Sequence, residues 1–256
     1  MTMAAEPADL LSLLRSRRGT LHVIDPFKVP LAEAVEKVHV LGALGFAAVL
    51  VGSTDCAGFA AHVPPYVDAL RRLSPLPIVL HFPPLEGLPF AACGADAIIL
   101  HALPCALDAH FAGDSVRDAR DHLSAARSPM RVLRSASFTF GPDPKSHAAV
   151  TASPAPGSVA LLEPYATTAA SDAFDLTYLY SRHDRVPVEA CRLFRALLRP
   201  GQLLFVSGGV TSAEQVVTYL DAGADFVVFG SALERPDWTP HAAALAVRRG
   251  ARHDRA

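Results

Sequence analysis

Lysine is scarce in this chain of 256 residues, which carries 3 Lys against 20 Arg. The formal net charge is only -2, so the basic stripe expected of a nucleic-acid-binding protein is missing. No low-complexity tract divides the chain into two halves. With 51% hydrophobic residues, residues 1–256 are expected to form a single domain with a large α/β core.

Paired cysteine motifs and long apolar runs are also lacking. No CxxC occurs among the four cysteines, which favours a reduced intracellular protein. The longest apolar stretch, 41–51, is too short to span a bilayer and contains two glycines. Acidic residues 6 and 9 and the basic run 15–18 interrupt any signal-peptide core. We therefore expect a cytoplasmic protein.

A repeated unit organises what is present: an amphipathic helix, a glycine, then a short apolar run. The unit recurs around Gly45, Gly94 and Gly223, and runs apolar on both faces are typical of covered parallel strands. The predicted strands are 21–24, 48–51, 78–82, 97–100, 137–140, 176–180, 203–206 and 226–229. The predicted helices are 8–17, 31–44, 67–73, 115–126, 164–174, 188–198, 212–221 and 241–249. Eight alternating strands predict an α/β fold of the (β/α)8 TIM-barrel type. A doubly wound open sheet is the alternative, but no G-x-G-x-x-G follows the first strand.

Polar residues follow most of these strands, at the end where barrel enzymes place their sites. Ser207, Gly208 and Gly209 precede a helix after strand seven, and Gly230 and Ser231 follow strand eight. Glycines allow backbone N–H groups to approach an anion closely, and a helix N-terminus favours negative charge. The two turns therefore predict a phosphate site.

Other strand ends carry candidate ligands. Asp25 with Ser53 and Thr54 offers the hard oxygen donors that Mg2+ prefers. His81 and His101 end neighbouring strands, but no third ligand has zinc spacing, so hydrogen-bonded site histidines are favoured. A further set is expected on solvated surfaces: His39, His62, His110, His122, His147, Arg192, Arg195 and Glu214.

The order of motifs resembles the geranylgeranylglyceryl phosphate synthase (PcrB-like) prenyltransferases over most of the chain. The resembling segments are LHVIDPFK at 21–28, VGST at 51–54, PIVLHFP at 77–83, FVSGGV at 205–210, AGAD at 222–225 and FGS at 229–231. The resemblance implies a modified barrel with a short or absent third helix, in keeping with the short link 83–94. It implies prenyl transfer from a prenyl diphosphate to a hydroxyl of a glycerol phosphate, with Asp25 and Ser53 or Thr54 holding Mg2+ on the diphosphate. By the same resemblance the substrate-binding residues are Lys28, Tyr178, Ser207, Gly208, Gly209, Gly230 and Ser231.

One departure from the family bears on the acceptor. Where the family has a Glu in strand six, this chain has Tyr180, followed by Arg182 and His183. Asp108 also stands where the family tends to have Asn. A buried Glu would repel an acceptor carboxylate, whereas Arg182 would pair with it. A three-carbon acceptor with phosphate, hydroxyl and carboxylate is 3-phosphoglycerate.

The expectation is therefore a Mg2+-dependent enzyme that joins a farnesyl group from farnesyl diphosphate to the 2-hydroxyl of 3-phosphoglycerate. This activity resembles that of family members in moenomycin-type phosphoglycolipid antibiotic biosynthesis. Tyr180, Arg182 and His183 are the candidate catalytic residues, with His183 or Tyr180 as the general base. The alternative within the family is a geranylgeranylglyceryl or heptaprenylglyceryl phosphate synthase that uses glycerol 1-phosphate.

Two further alternatives lie outside the family: a barrel isomerase or aldolase, and a phosphometabolite-binding protein without activity. A Schiff-base aldolase is disfavoured because no lysine ends a predicted strand. The expected partners are a prenyl diphosphate and a phosphorylated three-carbon acceptor, but no nucleic acid. A homodimer and peripheral membrane contact through the lipid product are expected as well.

Overall fold

Eight parallel strands close into a barrel in the order in which they occur along the chain. The computed structural model describes residues 10–53, 57–81, 90–91, 93–106, 113–128, 130–141, 155, 158–181, 184–235 and 237–246. The strands are β1 Gly19–Ile24, β2 Val49–Val51, β3 Ile78–His81, β4 Ala97–Ala102, β5 Arg131–Phe140, β6 Leu176–Ser181, β7 Leu203–Ser207 and β8 Phe226–Phe229. Pairing of β1 with β8 completes the ring. The predicted (β/α)8 TIM barrel is confirmed.

The described helices alternate with the strands around most of the barrel. They are α1 Leu10–Arg15, α2 Leu31–Leu44, α3 Phe59–Leu73, α4 Ser115–Ala125, α5 Glu163–Ala169, α6 Val188–Leu197, α7 Ala213–Asp221 and α8 Trp238–Leu245, with 3-10 helices at Val159–Leu161 and Ser231–Leu233. None of these described helices is long and apolar enough to cross a membrane. In the β3–β4 link the described residues, 90–91 and 93–96, form no helix, and 82–89 and 92 lie outside the described part of the chain.

Three elements differ from their predicted bounds by five residues or more. Helix α3 begins at Phe59, eight residues before its predicted start at residue 67. The prediction began late because Pro64 and Pro65 usually argue against a helix interior. Strand β5 begins at Arg131, six residues before its predicted start at residue 137. The prediction began late because polar residues in the first half of the strand break the apolar pattern. Helix α5 ends at Ala169, five residues before its predicted end. By contrast, α2 and β8 have the predicted bounds.

The core has two compartments separated by the sheet. Inside the barrel, apolar side chains from alternate strand positions fill the lower lumen, and α1 covers its floor with Leu10, Leu11 and Leu14. Outside the barrel, the other face of each strand packs against the ring of helices. The upper lumen is different, because its buried side chains are polar: His81, His101, Ser135, Ser137, Ser207 and the phenol of Tyr178. The polar end coincides with the carboxyl ends of the strands.

Aspartates tie neighbouring strands together at the opposite end. Each directly precedes an even-numbered strand and accepts a backbone N–H from the preceding strand: Asp96 from Ile78, Asp175 from Arg134 and Asp225 from Leu204, at 2.8–2.9 Å. Each also pairs with an arginine: Arg71, Arg134 and Arg195 respectively. The surface position predicted for Arg195 was wrong. Its side chain is only 12% exposed, because Asp225 holds it against the barrel.

Replacing Asp225 with Ala should lower the free energy of unfolding by about 3 kcal/mol, because it leaves the Leu204 N–H and Arg195 without their acceptor. Asp237→Ala removes an ion pair whose partners are 62% and 71% exposed, and should cost less than about 1 kcal/mol. Urea unfolding of both variants measures the difference. Equal losses would contradict a structural role for the Asp225 clamp.

Candidate functional site

Asp25, the first residue after β1, is held at the mouth of the barrel by three donors. Its Oδ1 accepts the N–H of Phe27 at 3.0 Å, and its Oδ2 accepts the hydroxyl of Ser53 at 3.2 Å. The Nζ of Lys28 lies 3.3 Å from the same Oδ2, on a side chain that is 63% exposed. The structure thus brings together Asp25, Ser53 and Lys28, which the sequence analysis assigned to the site. Thr54 lies outside the described residues.

The loop that carries Asp25 is supported by the start of α3. His62 Nε2 is 2.8 Å from the carbonyl oxygen of Pro26, and its ring lies 4.9 Å from that of Phe27. The Tyr66 hydroxyl donates to the carbonyl of Val29 at 2.9 Å. Sequence analysis missed both contacts, since His62 was expected to be solvated and the predicted α3 began after Tyr66. These contacts keep residues 25–29 in one conformation.

The donor set at Asp25 suits Mg2+ bound together with a substrate. One carboxylate and one hydroxyl are hard oxygen ligands, and Mg2+ commonly takes one or two carboxylates and completes its shell with water and phosphate oxygens. Among the described residues, no three His, Cys, Asp or Glu side chains cluster closely enough to hold a metal by themselves. The residues present therefore fit Mg2+ that arrives with a diphosphate, and not a resident metal cage.

The turn after β7 lies directly against the end of β6. Gly208 and Gly209 have φ values of +105° and +61°, a left-handed conformation that favours glycine. A Cβ on Gly208 would lie 1.7 Å from the carbonyl oxygen of Ser181, so no other residue fits there. After this turn α7 begins with a capping box between Ser212 and Gln215. The geometry holds the β7 turn and the β6 end as one unit.

The turn after β8 has free space around its glycine, whereas the glycines of the β7 turn are tightly packed. A Cβ placed on Gly230 would meet no atom within 4 Å among the described residues. Ser231 is exposed and begins the 3-10 helix Ser231–Leu233. The N–H groups of Ser231 and Ala232 belong to the first turn of that helix, so they have no acceptor within it. Such groups can bind a phosphate oxygen.

A hydrogen-bonded chain crosses the lumen beneath the mouth. His101 Nε2 lies 3.1 Å from His81 Nδ1, and His101 Nδ1 lies 2.7 Å from Ser137 Oγ. Ser137 Oγ is in turn 2.9 Å from Ser135 Oγ. Burial lowers the pKa of His81 to about 3. Burial, together with the nearby charge of His81, also holds the pKa of His101 well below its ordinary value. The prediction of hydrogen-bonded histidines is confirmed, and both rings are neutral at physiological pH.

The aromatic residues of β6 complete this polar layer. Tyr178 is fully buried, its ring centroid is 5.1 Å from that of His81, and its hydroxyl shares a hydrogen bond with Ser207. Burial raises the pKa of Tyr178 above its ordinary value, so the phenol stays protonated. Ser207 also donates to the carbonyl of Val228 at 3.2 Å. Tyr180, two residues further along the same face, is half-buried nearer the opening. The substrate-binding role assigned to Tyr178 and Ser207 and the catalytic role assigned to Tyr180 stay predictions.

A carboxylate that sequence analysis overlooked lies beside the end of β6. Arg182, His183 and Asp108 lie outside the described residues, but Asp184 is described and exposed. A Cβ on Gly141, which follows β5, would lie 3.2 Å from Asp184 Oδ2, and one on Gly209 would lie 2.6 Å from the Asp184 carbonyl oxygen. Asp184 therefore lies next to the ends of β5, β6 and β7. The sequence feature that could have identified Asp184 is its position four residues after Tyr180, near the end of a predicted strand.

The fold is similar to that of several solved structures. (S)-3-O-geranylgeranylglyceryl phosphate synthase from Thermoplasma acidophilum, solved with its substrate sn-glycerol-1-phosphate, is 22% identical with a TM-score of 0.79, covering 95% of this chain and 97% of its own. A wild-type GGGPS from Thermoplasma volcanium is 18% identical with a TM-score of 0.75, covering 96% and 95%. A chain of the Pyrococcus furiosus tryptophan synthase a2b2 complex is 17% identical with a TM-score of 0.59, covering 90% and 97%. No protein-family model and no curated protein matches the sequence. At these identities the likeness establishes the barrel fold.

The buried histidines predict a loss of stability in mild acid. Burial lowers the pKa of His22 to about 3, as it does for His81, and lowers that of His101 as well. The unfolded chain binds these protons below its ordinary pKa near 6.5, so stability is full above that pH and falls as the pH drops towards 3. Each histidine should contribute a slope of about 1.4 kcal/mol per pH unit.

Urea unfolding between about pH 7 and pH 4.5 measures that slope. His22→Asn and His101→Asn should each reduce the proton uptake on unfolding by about one. A slope that neither substitution changes would contradict the assignment of neutral rings.

Proposed function

We propose that the protein is a prenyltransferase that moves a prenyl group from a prenyl diphosphate to a hydroxyl of a phosphorylated three-carbon acceptor. The observation that carries the proposal is the presence of two anion sites of different construction at one barrel mouth. Asp25, Ser53 and Lys28 form one, and the turns after β7 and β8 form the other. A full-length structural neighbour that is a synthase of this kind, solved with sn-glycerol-1-phosphate, supports the assignment.

The acceptor phosphate binds at the two glycine turns in this proposal. Backbone N–H groups of Gly208, Gly209, Ser231 and Ala232 are the donors, and Gly230 leaves room because a side chain there would stand in open space. Since this phosphate position lies beside the end of β6, the rest of a three-carbon acceptor extends over Tyr180. Binding in this way fixes the acceptor hydroxyl at the reacting carbon.

The diphosphate of the donor binds at the end of β1, the strand next to β8. Lys28 has the free reach to pair with a phosphate oxygen, because its side chain is mostly in solvent. Asp25 and Ser53 would hold Mg2+, which when bound neutralises the charge that develops on the leaving diphosphate. In the reaction the bond between the prenyl carbon and the diphosphate oxygen breaks, and the acceptor oxygen forms the ether bond to that carbon.

The acceptor hydroxyl must lose its proton as the ether forms. Tyr180 and His183 are candidates from the sequence, and Asp184 is a third from the structure. We assign the proton to Asp184 Oδ2, since an exposed carboxylate at the β5–β7 corner can accept it and release it to water. The buried histidines are unsuited to this role, because a pKa of about 3 makes the His81 ring a weak base. They form a neutral polar floor under the reacting groups.

Two acceptors remain in competition. Glycerol 1-phosphate is supported by the synthase solved with that substrate. The second candidate, 3-phosphoglycerate, is supported by the sequence at the end of β6, where Tyr180 stands in place of the Glu of the resembled family and a cation, Arg182, follows. Farnesyl diphosphate is the donor proposed with 3-phosphoglycerate. Arg182 would pair with the acceptor carboxylate in a bidentate manner.

An aldolase of the Schiff-base type finds no support in the described lumen. Of the two lysines that the structure describes, Lys28 is on an exposed loop and Lys37 points from α2 towards Leu233 and Trp238. A Schiff-base lysine must reach the substrate carbonyl inside the mouth. Prenyl transfer is consistent with the described residues without such a group.

Incubation with Mg2+, farnesyl diphosphate and either acceptor tests the proposed reaction. We expect an ether product and released diphosphate, detected by mass spectrometry, with geranylgeranyl diphosphate compared as the second donor. Product with 3-phosphoglycerate alone supports the farnesyl transfer reading, and product with glycerol 1-phosphate alone overturns it in favour of a glyceryl phosphate synthase. Absence of product with every donor and acceptor would contradict a prenyltransferase.

In the same assay, Arg182→Ala separates recognition of the carboxylate from general damage. If Arg182 pairs with the acceptor carboxylate, kcat/KM for 3-phosphoglycerate should fall about 100-fold, in the range found when a buried charge loses its partner. Turnover of glycerol 1-phosphate should change little. Equal losses with both acceptors would show that Arg182 has no part in the choice.

Asp25→Asn should lower kcat/KM for the prenyl diphosphate by about 100-fold, because it removes the only carboxylate of the proposed Mg2+ site. The affinity for the acceptor phosphate, which binds at the turns after β7 and β8, should change less than about twofold. Steady-state kinetics over a range of Mg2+ concentrations provide the measurement. Asp172→Asn, at a carboxylate 92% exposed and paired with Arg199, is the control and should behave as wild type. Unchanged Mg2+ dependence in Asp25→Asn would contradict the assignment.

A further inference from the structure

A buried cation lies behind the proposed phosphate turn after β8. Lys37 is only 1% exposed, although lysine is rarely buried to this extent. Its Nζ donates to the carbonyl of Leu233 at 2.9 Å, pairs with Glu33 at 3.0 Å and lies 5.3 Å from the ring centroid of Trp238. Leu233 is the last residue of the 3-10 helix that begins at Ser231. Lys37 therefore holds the far end of the 3-10 helix that follows β8.

A second buried group holds the near end of the same segment. His22 is fully buried in β1, and its Nδ1 lies 3.1 Å from the carbonyl oxygen of Phe229, the residue before Gly230. The contact makes Nδ1 the protonated nitrogen, since a carbonyl can only accept. Its other ring nitrogen, Nε2, is buried and has no hydrogen-bond partner within the described residues. The ring is thus oriented by the Phe229 carbonyl.

The two contacts frame the turn. Phe229 and Leu233 are separated by Gly230, Ser231 and Ala232, the residues that present the N–H groups, and a carbonyl is held on each side of them. Within the turn, the N–H of Leu233 donates to the carbonyl of Gly230 at 3.1 Å. The φ of -117° and ψ of -108° at Gly230 lie outside the regular helix and strand regions. A lysine-to-carbonyl bond in a buried setting is of the stronger, charge-assisted kind.

We propose that Lys37, together with His22, is a positioning residue for the acceptor phosphate: the pair sets the Gly230–Ser231 turn so that its N–H groups converge on the phosphate. The inference rests on the proposed function, because it takes this turn as the phosphate site. Lys37 touches neither substrate in this account. Its role is exerted through the backbone of the turn.

The proposal predicts that Lys37→Met selectively weakens phosphate binding. The dissociation constant for inorganic phosphate and the KM for the acceptor should rise about tenfold or more, the order expected from losing one charge-assisted hydrogen bond. The KM for the prenyl diphosphate should stay within about twofold, and so should kcat at saturating acceptor, because the donor binds at Asp25. Lys37→Arg, which keeps the cation, should recover most of the affinity.

Phosphate binding can be followed without catalysis. Trp238 is the only tryptophan of the chain and lies against Lys37, so its fluorescence should respond when phosphate orders the turn. Isothermal titration calorimetry with inorganic phosphate and with glycerol 1-phosphate gives the affinities independently. Arg195→Met is the matched control, since it removes another mostly buried cation at the opposite end of the barrel and should lower stability without changing phosphate affinity.

The outcomes separate this inference from the proposed function. If wild type binds phosphate and Lys37→Met binds it equally well, the positioning role is overturned and the site stands. If wild type binds neither inorganic phosphate nor either acceptor, the phosphate site fails and the inference fails with it. Should Lys37→Met not fold, His22→Asn decides: phosphate binding about threefold weaker or more supports the proposal, and unchanged binding overturns it.

Discussion

The hydrogen bonding of β1 to β8 is the contact on which the arrangement of the site depends. Their register pairs His22 with Phe229 and so brings the two ends of the chain together. Asp25 follows β1 and Gly230 follows β8, so the two proposed anion sites belong to adjacent strands although 205 positions separate them in sequence. The aspartate clamps at the other end act in the same sense, because they fix how far β4, β6 and β8 are displaced along the strands that precede them. A small shift in any of these registers would move one anion site relative to the other.

The distribution of charge within the lumen follows from the cost of burying ions. In the described barrel the buried upper layer contains histidines, serines and a tyrosine that are all neutral, while the charges of Asp25, Lys28 and Asp184 stand at the rim. A buried ion without a partner would cost several kcal/mol, whereas neutral groups linked in a chain satisfy one another. Among the described residues of this upper layer, no side chain is negatively charged, which would favour the two anionic substrates of the proposed reaction.

The sequence predicted the repeated helix–strand unit but not the contacts between residues far apart in the chain. The alternation of helices with runs apolar on both faces predicted the barrel, and a barrel has only one end for its site, so Asp25, Ser53, His81 and the glycine turns could all be placed. Local pattern could not reveal that His22 and Lys37 hold the β8 turn, because those contacts span 207 and 196 positions. The position of Arg195 was predicted wrongly for the same reason. Its helical spacing is typical of a solvated face, and the contact with Asp225 that buries it forms only in the folded protein. The prediction began β5 six residues late because Arg131, Arg134 and Ser135 in its first half are exceptions to the apolar pattern that the prediction assumes.

The two proposed anion sites differ in their construction, and the difference places the proposed choice of acceptor at the end of β6. The proposed donor site consists of side chains, whereas the proposed phosphate turns offer backbone N–H groups, with Gly208 and Gly209 close to neighbouring backbone. Backbone groups recognise a phosphate but carry no information about the rest of the molecule. Because Gly208 is pressed against Ser181, the atoms next to the phosphate meet the residues that end β6. Under the proposed function, Tyr180 and Asp184 therefore border the acceptor but not its phosphate. Acceptor specificity can change there while the barrel and its two turns stay the same.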